Sequence, residues 1–233
     1  MVAKFSRRER MPLWMVSAVP KGVFKLRAFL PGSEAQISSL ISAVRVRTSS
    51  GQPGLASLTI MIDKSNRAIA ATSVRKRDTS PDIANLIAQA MAPPATRPVG
   101  KLSCRGDLQR MNFPWPVLLN DAAYAAAAAR RPRFRPSIIL TDNEHYRSHS
   151  VEALCLEFGF TLATAPRTLS AHMVVERALS TIRKEFVDKL PGQSPSGYGR
   201  MDLGKEDLIL IKDLRVLFDR WVVQIWPNVR GNY

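Results

Sequence analysis

Asp142 and Glu176 are the two side chains whose setting could do chemistry. Asp142 closes the apolar run Ile138-Ile139-Leu140-Thr141, and Glu176 stands in Val174-Val175-Glu176-Arg177, where an amphipathic helix begins. Thirty-three residues lie between them, room for a helix, a short strand and the start of another helix. Such a layout can set a strand-end carboxylate beside a helix-borne one. Two-metal phosphoryl transfer needs that arrangement, because carboxylates must hold hard divalent cations at close spacing. The carboxyl end of a buried strand is also where α/β sites gather. Each acid has a plainer reading. Asp142 can simply end a strand and open a turn, and Glu176 can be a solvated first-turn acid favoured by the helix dipole.

His145 and His149 are four apart, with Glu144 beside the first, and could be drawn as a zinc site on one helical face. The Glu placement of the zinc-protease motif is missing, and His172 is the only other histidine. Surface histidines near a basic groove are the plainer reading. Basic clusters occur at Arg75-Lys76-Arg77, at Arg130-Arg131-Pro132-Arg133-Phe134-Arg135 and at Arg183-Lys184. Most basic runs are solvated faces. Several here flank the elements that would carry the acids, so phosphate contacts are the expectation. Aromatic residues are not interleaved with them as a single-strand stacking platform requires.

The charge balance points the same way. Lys and Arg number 34 against 19 Asp and Glu, a formal +15, with a pI near 10.6. An excess of that size favours a polyanion, most simply nucleic acid, although a basic surface on an unrelated enzyme gives the same composition. Cys104 and Cys155 stand apart, with no pair at metal or redox spacing, and read as buried thiols in a reducing compartment. No run of 18 apolar residues exists, so no membrane span is expected. Arg7-Arg8 before Met11-Pro12-Leu13-Trp14-Met15-Val16 mimics a twin-arginine export signal. The apolar stretch is short and Lys21 interrupts the segment after it, so the expected location is cytoplasmic.

The elements that must position the acids follow from periodicity and punctuation. Residues 1–33 form an irregular basic lead-in broken by Pro12, Pro20 and Pro31. Strands are expected at 36–47, 55–63 and 67–74, with turns at Ser50-Gly51-Gln52-Pro53-Gly54 and Lys64-Ser65-Asn66. Connections so short make them antiparallel. Ser80-Pro81-Asp82 opens a helix that runs to about Met91. Residues 93–118 are Pro-containing and irregular, and an alanine-rich helix spans 120–130. Then come a buried strand at 136–141, a helix at 149–158, a short strand at 160–164 and a helix at 172–190. In that last helix Val175, Leu179, Ile182, Phe186 and Leu190 form one apolar stripe from which Glu176, Ser180, Arg183 and Lys184 are excluded. A final helix is expected at 206–226. Three antiparallel strands, helix, strand, helix, strand, helix is the order of a ribonuclease-H-like α/β fold, a mixed sheet with helices on both faces. The expected division is a lead-in over 1–33, a core over 34–192 and a C-terminal helical extension over 193–233.

These residues carry a family likeness. From Ser137 onward the chain resembles the integrase catalytic core of retroviral-type and Mu-type transposases. Ile139-Leu140-Thr141-Asp142-Asn143 resembles the family's strand ending in Thr-Asp-Asn-Gly, and Ala153-Leu154-Cys155-Leu156-Glu157-Phe158-Gly159-Phe160 its helix-to-strand passage. Ala165-Pro166-Arg167-Thr168 is similar to the loop before the last acid, and Val175-Glu176-Arg177 to the family's Val-Glu-Arg. Leu190-Pro191-Gly192 and Leu214 through Arg220-Trp221-Val222-Val223 continue it. Upstream, Leu58-Thr59-Ile60-Met61-Ile62-Asp63 through Ile69 resembles the second strand and its turn, and Leu30-Pro31-Gly32 the approach to the first.

The resemblance implies a three-carboxylate site for two divalent ions, Mg2+ or Mn2+, acting in DNA strand transfer. Asp142 and Glu176 match the second and third acids. Where the family's first strand carries Asp, the sequence Gln36-Ile37-Ser38-Ser39-Leu40 offers Ser38. Asp63 lies on the neighbouring strand, matches no catalytic position, and is the nearest acid that could compensate. Glu144 replaces the usual Gly, and His172 stands where Lys is frequent. The implied DNA contacts are Arg130, Arg131, Arg133, His172, Arg177, Arg183 and Lys184. The expectation is a transposase-type core, shortened at both ends and lacking one acid, with DNA and other transposase subunits as partners, forming a homo-oligomer. The alternative is a non-catalytic DNA-binding remnant, or an inhibitor of a full-length transposase.

Overall fold

The computed structural model describes residues 31–77, 82–93, 96–97, 100, 102, 115–131, 134–141, 149–165, 169–190 and 208–229. Five strands form one mixed sheet: β1 (Glu34–Arg47), β2 (Pro53–Asp63), β3 (Ile69–Lys76), β4 (Ile138–Thr141) and β5 (Thr161–Thr164). Their order across the sheet is β3-β2-β1-β4-β5. The first three strands pair antiparallel, and β4 and β5 add in parallel. This is the ribonuclease-H-like α/β arrangement expected from the order of elements.

The hairpin geometry has local causes. Gly32 enters β1 at φ +83, a conformation that favours glycine, and its N–H donates to Asp63 Oδ2 at 2.8 Å. Asp63 Oδ1 accepts from the Ser65 N–H and hydroxyl, which fixes the turn between β2 and β3. β2 shows the expected alternation, but both of its faces are covered, so residues 58, 60, 61 and 62 are all fully buried. A strand between two helical layers has no solvent side.

Helices α1 (Ile83–Met91) and α4 (His149–Phe158) cover one face. Their Leu86, Ile87, Val151 and Cys155 pack with Ala35, Ile37, Met61 and Ile139 of the sheet. Asp82 caps α1 by accepting from the Asn85 N–H at 2.9 Å. Two further helices follow α1, the short α2 (Trp115–Leu118) and the alanine-rich α3 (Asp121–Ala129), the latter capped by Asn120 accepting from the Ala123 N–H.

The opposite face is covered by α5 (Leu169–Glu185) and α6 (Ile211–Gln224). Val175, Ala178 and Ile182 of α5 and Leu214, Leu217, Phe218 and Trp221 of α6 join Leu58, Ile60 and Ile62 in a single cluster. Phe186 is the hub, 5.1 Å from the Phe218 ring and 5.5 Å from Trp221. Trp226, in the one-turn α7 (Trp226–Val229), stacks on at 5.9 Å and donates its indole N–H to the Arg67 carbonyl.

Several boundaries differ from the sequence expectation. α5 begins at Leu169 and stops at Glu185, and a 3-10 turn over Val187–Lys189 replaces its last turn. The tighter turn buries both Phe186 and Val187. The final helix starts at Ile211 because the preceding segment pairs with the sheet: the Arg47 N–H donates to the Ile209 carbonyl at 2.8 Å, and Leu210 bridges to Arg47. Within 93–118, α2 forms where irregular chain is expected.

Among the described strands β3 is at the rim, and arginines close three of its carbonyls. Arg131 donates to Ile69 and Ala70, Arg97 to Ala70, and Arg215 to Val74, at 3.1–3.3 Å. No helix of the described residues is long and apolar enough to cross a membrane.

Candidate functional site

The site is assembled where β4 ends against β1. The parallel register pairs Gln36 with Leu140 and Ile37 with Thr141, the last residue of β4. Ser38 follows on β1, 3% exposed, with Ile60 of β2 as its partner on the other side. Strand alternation places Gln36 and Ser38 on the α5–α6 face, because Ile60 and Ile62 opposite them belong to that face's cluster. Glu34, Gln36 and Ser38 thus make a buried polar stripe on an otherwise apolar sheet face. Glu34 is matched by Lys64 at 2.6 Å, at the amino end of the stripe. Buried polar groups of this kind are normally hydrogen-bonded.

α5 covers the same face. Its inner side carries Val175 and Ala178, and its exposed side carries Met173, Glu176, Arg177, Ser180, Arg183 and Lys184. Glu176 is therefore on the element that lies over β1, with its carboxylate open to solvent. Arg177, Arg183 and Lys184 share that exposed side, at helical spacings of one, seven and eight from Glu176. A strip of cations around a single acid can track a phosphate backbone. Near the end of the helix, the Lys189 ammonium bonds to Glu185 at 2.6 Å and holds its carboxyl below the ordinary range.

Several sequence candidates fall elsewhere. Asp142, Arg133, His145 and Glu144 lie outside the described residues, as does the side chain of His172, and His149 is the exposed first residue of α4. Asp63 does not compensate for Ser38. It pairs with Ala35, whose face is the one opposite to Ser38, and both of its carboxylate oxygens are engaged by the Gly32 and Ser65 turns. Arg130 is exposed at the carboxyl end of α3, whereas Arg131 is half-buried and bonded to Asp219 and to the β3 carbonyls. These two arginines lie at the β3 rim, two strands away from β1, and not around the end of β4. Among the described residues, no group of three or more His, Cys, Asp or Glu could hold a metal ion.

Sequence reasoning missed a second polar centre, at that β3 rim. The Tyr124 hydroxyl donates to Asp219 Oδ2, Arg131 pairs with Asp219 Oδ1 at 3.2 Å, and Arg220 pairs with Asp121 and lies 4.9 Å over the Tyr124 ring. Burial and the adjacent Asp219 raise the Tyr124 phenol above its ordinary value. Burial and the like charge of Arg131 bring Arg97 down to about 10. The partners are separated by up to 99 residues, as in Asp121 with Arg220, so no local pattern announces them.

No family profile matches the chain, and no curated protein matches it in sequence. Among solved structures, it is similar to the simian T-cell lymphotropic virus intasome in complex with the PP2A regulatory subunit B56 gamma. The identity is 17% and the TM-score 0.40, over 82% of this chain and 48% of that one. It is also similar to the catalytic core domain of BIV integrase, at 13% identity and a TM-score of 0.31, over 66% of this chain and 68% of that one. The chain spans about half the length of the intasome chain that it matches.

Proposed function

We propose that this chain is an integrase- or transposase-type core for DNA strand transfer, with Asp142 and Glu176 as its surviving metal-holding acids and Ser38 in place of the first. One observation carries the reading. The strand that leads into Asp142 ends beside a buried polar residue of β1, under the helix that bears Glu176. Three elements distant in sequence thereby meet on one sheet face, as a carboxylate site for phosphoryl transfer requires. The exposed cations Arg177, Arg183 and Lys184 beside Glu176, with the strongly basic composition, support DNA as the substrate.

The residues present do not fit a two-ion magnesium or manganese site. Between two divalent ions a carboxylate supplies charge as well as oxygen, and the Ser38 hydroxyl supplies only oxygen. No catalytic step is therefore routed through a metal pair in this chain. Its own cations along α5 bind the DNA backbone.

A second reading is favoured by the same serine: a non-catalytic DNA-binding remnant, or a subunit that joins a full-length transposase and inhibits it. The deciding experiment is a strand-transfer assay on precut transposon ends with Mg2+ or Mn2+, comparing wild type with Ser38→Asp. The expected result is little or no product from wild type and a gain with Ser38→Asp. That gain is lost again when Asp142→Asn or Glu176→Gln is added. If Ser38→Asp gains neither strand transfer nor Mn2+ binding, the three positions do not form one site and the core reading is withdrawn.

A further inference from the structure

The β3 rim contains a hollow of about 400 Å3, bounded by β3, α1, α3 and α6. Its walls carry Arg97, Arg131, Lys212, Arg215 and Arg220, against Asp219 as the single carboxylate. Asp219 is already shared between the Arg131 guanidinium and the Tyr124 hydroxyl, and Arg220 has Asp121 as its own partner. Arg97 is held by main-chain carbonyls of Ala70, Ala90 and Ala92, which fix its position without cancelling its charge. Its lowered pKa has the same origin, since the charge is partly removed from water and crowded by Arg131. Lys212 and Arg215 stand one turn apart on the exposed side of α6, at the mouth.

A protein ordinarily places a carboxylate next to each half-buried guanidinium, because an uncompensated buried charge is costly. Here two fixed guanidiniums share one acid, and two solvent-facing cations add to them. Such an excess is relieved by a multiply charged anion, drawn by the positive field of Arg97 and Arg131 and contacted at the mouth by Lys212. The N–H groups of the two arginines are themselves largely engaged by carbonyls and Asp219.

We propose that the hollow between β3 and α6 is a phosphate-binding site, fixed at its base by Arg97 and Arg131 and closed at its mouth by Lys212 and Arg215. It takes a phosphate or polyphosphate group, supplied either by a free nucleotide-like ligand or by a nucleic-acid backbone. The site lies two strands from β1 on the far rim of the sheet, so it is separate from the acids on the α5 side and does not depend on the reading given to them.

The test uses the full chain and inorganic pyrophosphate in metal-free buffer, followed by calorimetry. Wild type binds, and Lys212→Gln with Arg215→Gln weakens binding by about tenfold or more. Lys212 is exposed, whereas Arg215 also donates to the Val74 carbonyl, so a thermal melt of the double variant confirms that it is folded before binding is read. Arg183→Gln with Lys184→Gln removes the same charge from α5 and leaves pyrophosphate affinity unchanged. A short duplex of unrelated sequence then separates the sources. If the α6 pair also lowers duplex affinity more than the α5 pair does, the group bound is a backbone phosphate. If duplex affinity responds to the α5 pair alone, the ligand is a free polyphosphate. Absence of pyrophosphate binding by wild type, or equal weakening by the two double variants, overturns the proposal.

Discussion

Ile37 on β1 pairs in parallel with Thr141 on β4, and this register sets the buried Ser38 at the very end of β4. An acid introduced there has no solvent to relax into. Ser38→Asp is expected to lower stability by about 3–5 kcal/mol in chelator, the range for a buried charge without a partner. Manganese should recover most of that loss, and Asp142→Asn should remove the recovery. Denaturant melts of the single and double variants with and without the ion provide the check.

Glu176 lies on the exposed side of α5, so its removal should cost the fold nothing. Glu176→Gln is expected to stay within about 0.5 kcal/mol of wild type, while in the Ser38→Asp background it eliminates strand transfer and the manganese effect. A melt and an assay on the same preparation would separate the two. A large stability loss would mean the carboxylate is structural.

Arg177, Arg183 and Lys184 share the exposed side of α5 with Glu176. Replacing all three by Gln should weaken duplex binding similarly for every sequence. The slope of log affinity against log salt should fall by about 0.9 for each phosphate that is no longer neutralised. Fluorescence anisotropy across a salt series measures both.

The Tyr124 hydroxyl and Asp219 are coupled, and the direction of the coupling sets an alkaline signature. The folded-state phenol is raised above its ordinary 10.0 by burial and by the carboxylate. The folded protein therefore keeps a proton that the unfolded chain releases. This contribution to stability is fully present below pH 10.0 and is lost as pH rises above it, because there the unfolded phenol ionises freely while the folded one must keep its proton beside the carboxylate. Of four tyrosines, one should titrate late by ultraviolet absorbance, and Tyr124→Phe should abolish that late step.

Phe186 packs against Phe218 and Trp221 at the centre of the α5–α6 layer. Phe186→Ala should cost about 3–5 kcal/mol through lost burial and the cavity left behind. Chemical denaturation reads the loss directly.

Much of this architecture was legible in the chain. The three antiparallel strands, the strand before Asp142 and the capped α1 follow from alternation, turn residues and capping side chains, all local signals, although β4 is buried at Ile139 and Thr141 and exposed at Ile138. The misjudged boundaries have non-local causes. The stripe through Phe186 and Leu190 keeps helical spacing, yet docking both Phe186 and Val187 tightened the backbone into a 3-10 turn. Ile209 and Leu210 look like the start of a helix until β1 claims their hydrogen bonds. For the candidate site, the importance of Ser38 came from its position in a resemblance, whereas its burial beside Thr141 is visible only in the register. The convergence of cations at the β3 rim was illegible, because Arg97, Arg131 and Arg215 come from three separate segments and meet only through the fold, even though Arg131 itself stood out in a basic run.

The arginines that close the carbonyls of Ile69, Ala70 and Val74 have a consequence for how molecules can join. A bare rim strand is a template on which another chain can extend the sheet, with the attendant danger of runaway association. Here three acceptors that such a newcomer could use are already taken, and approaching backbone would meet a fence of positive charge. Sheet extension is therefore disfavoured at those three positions of β3.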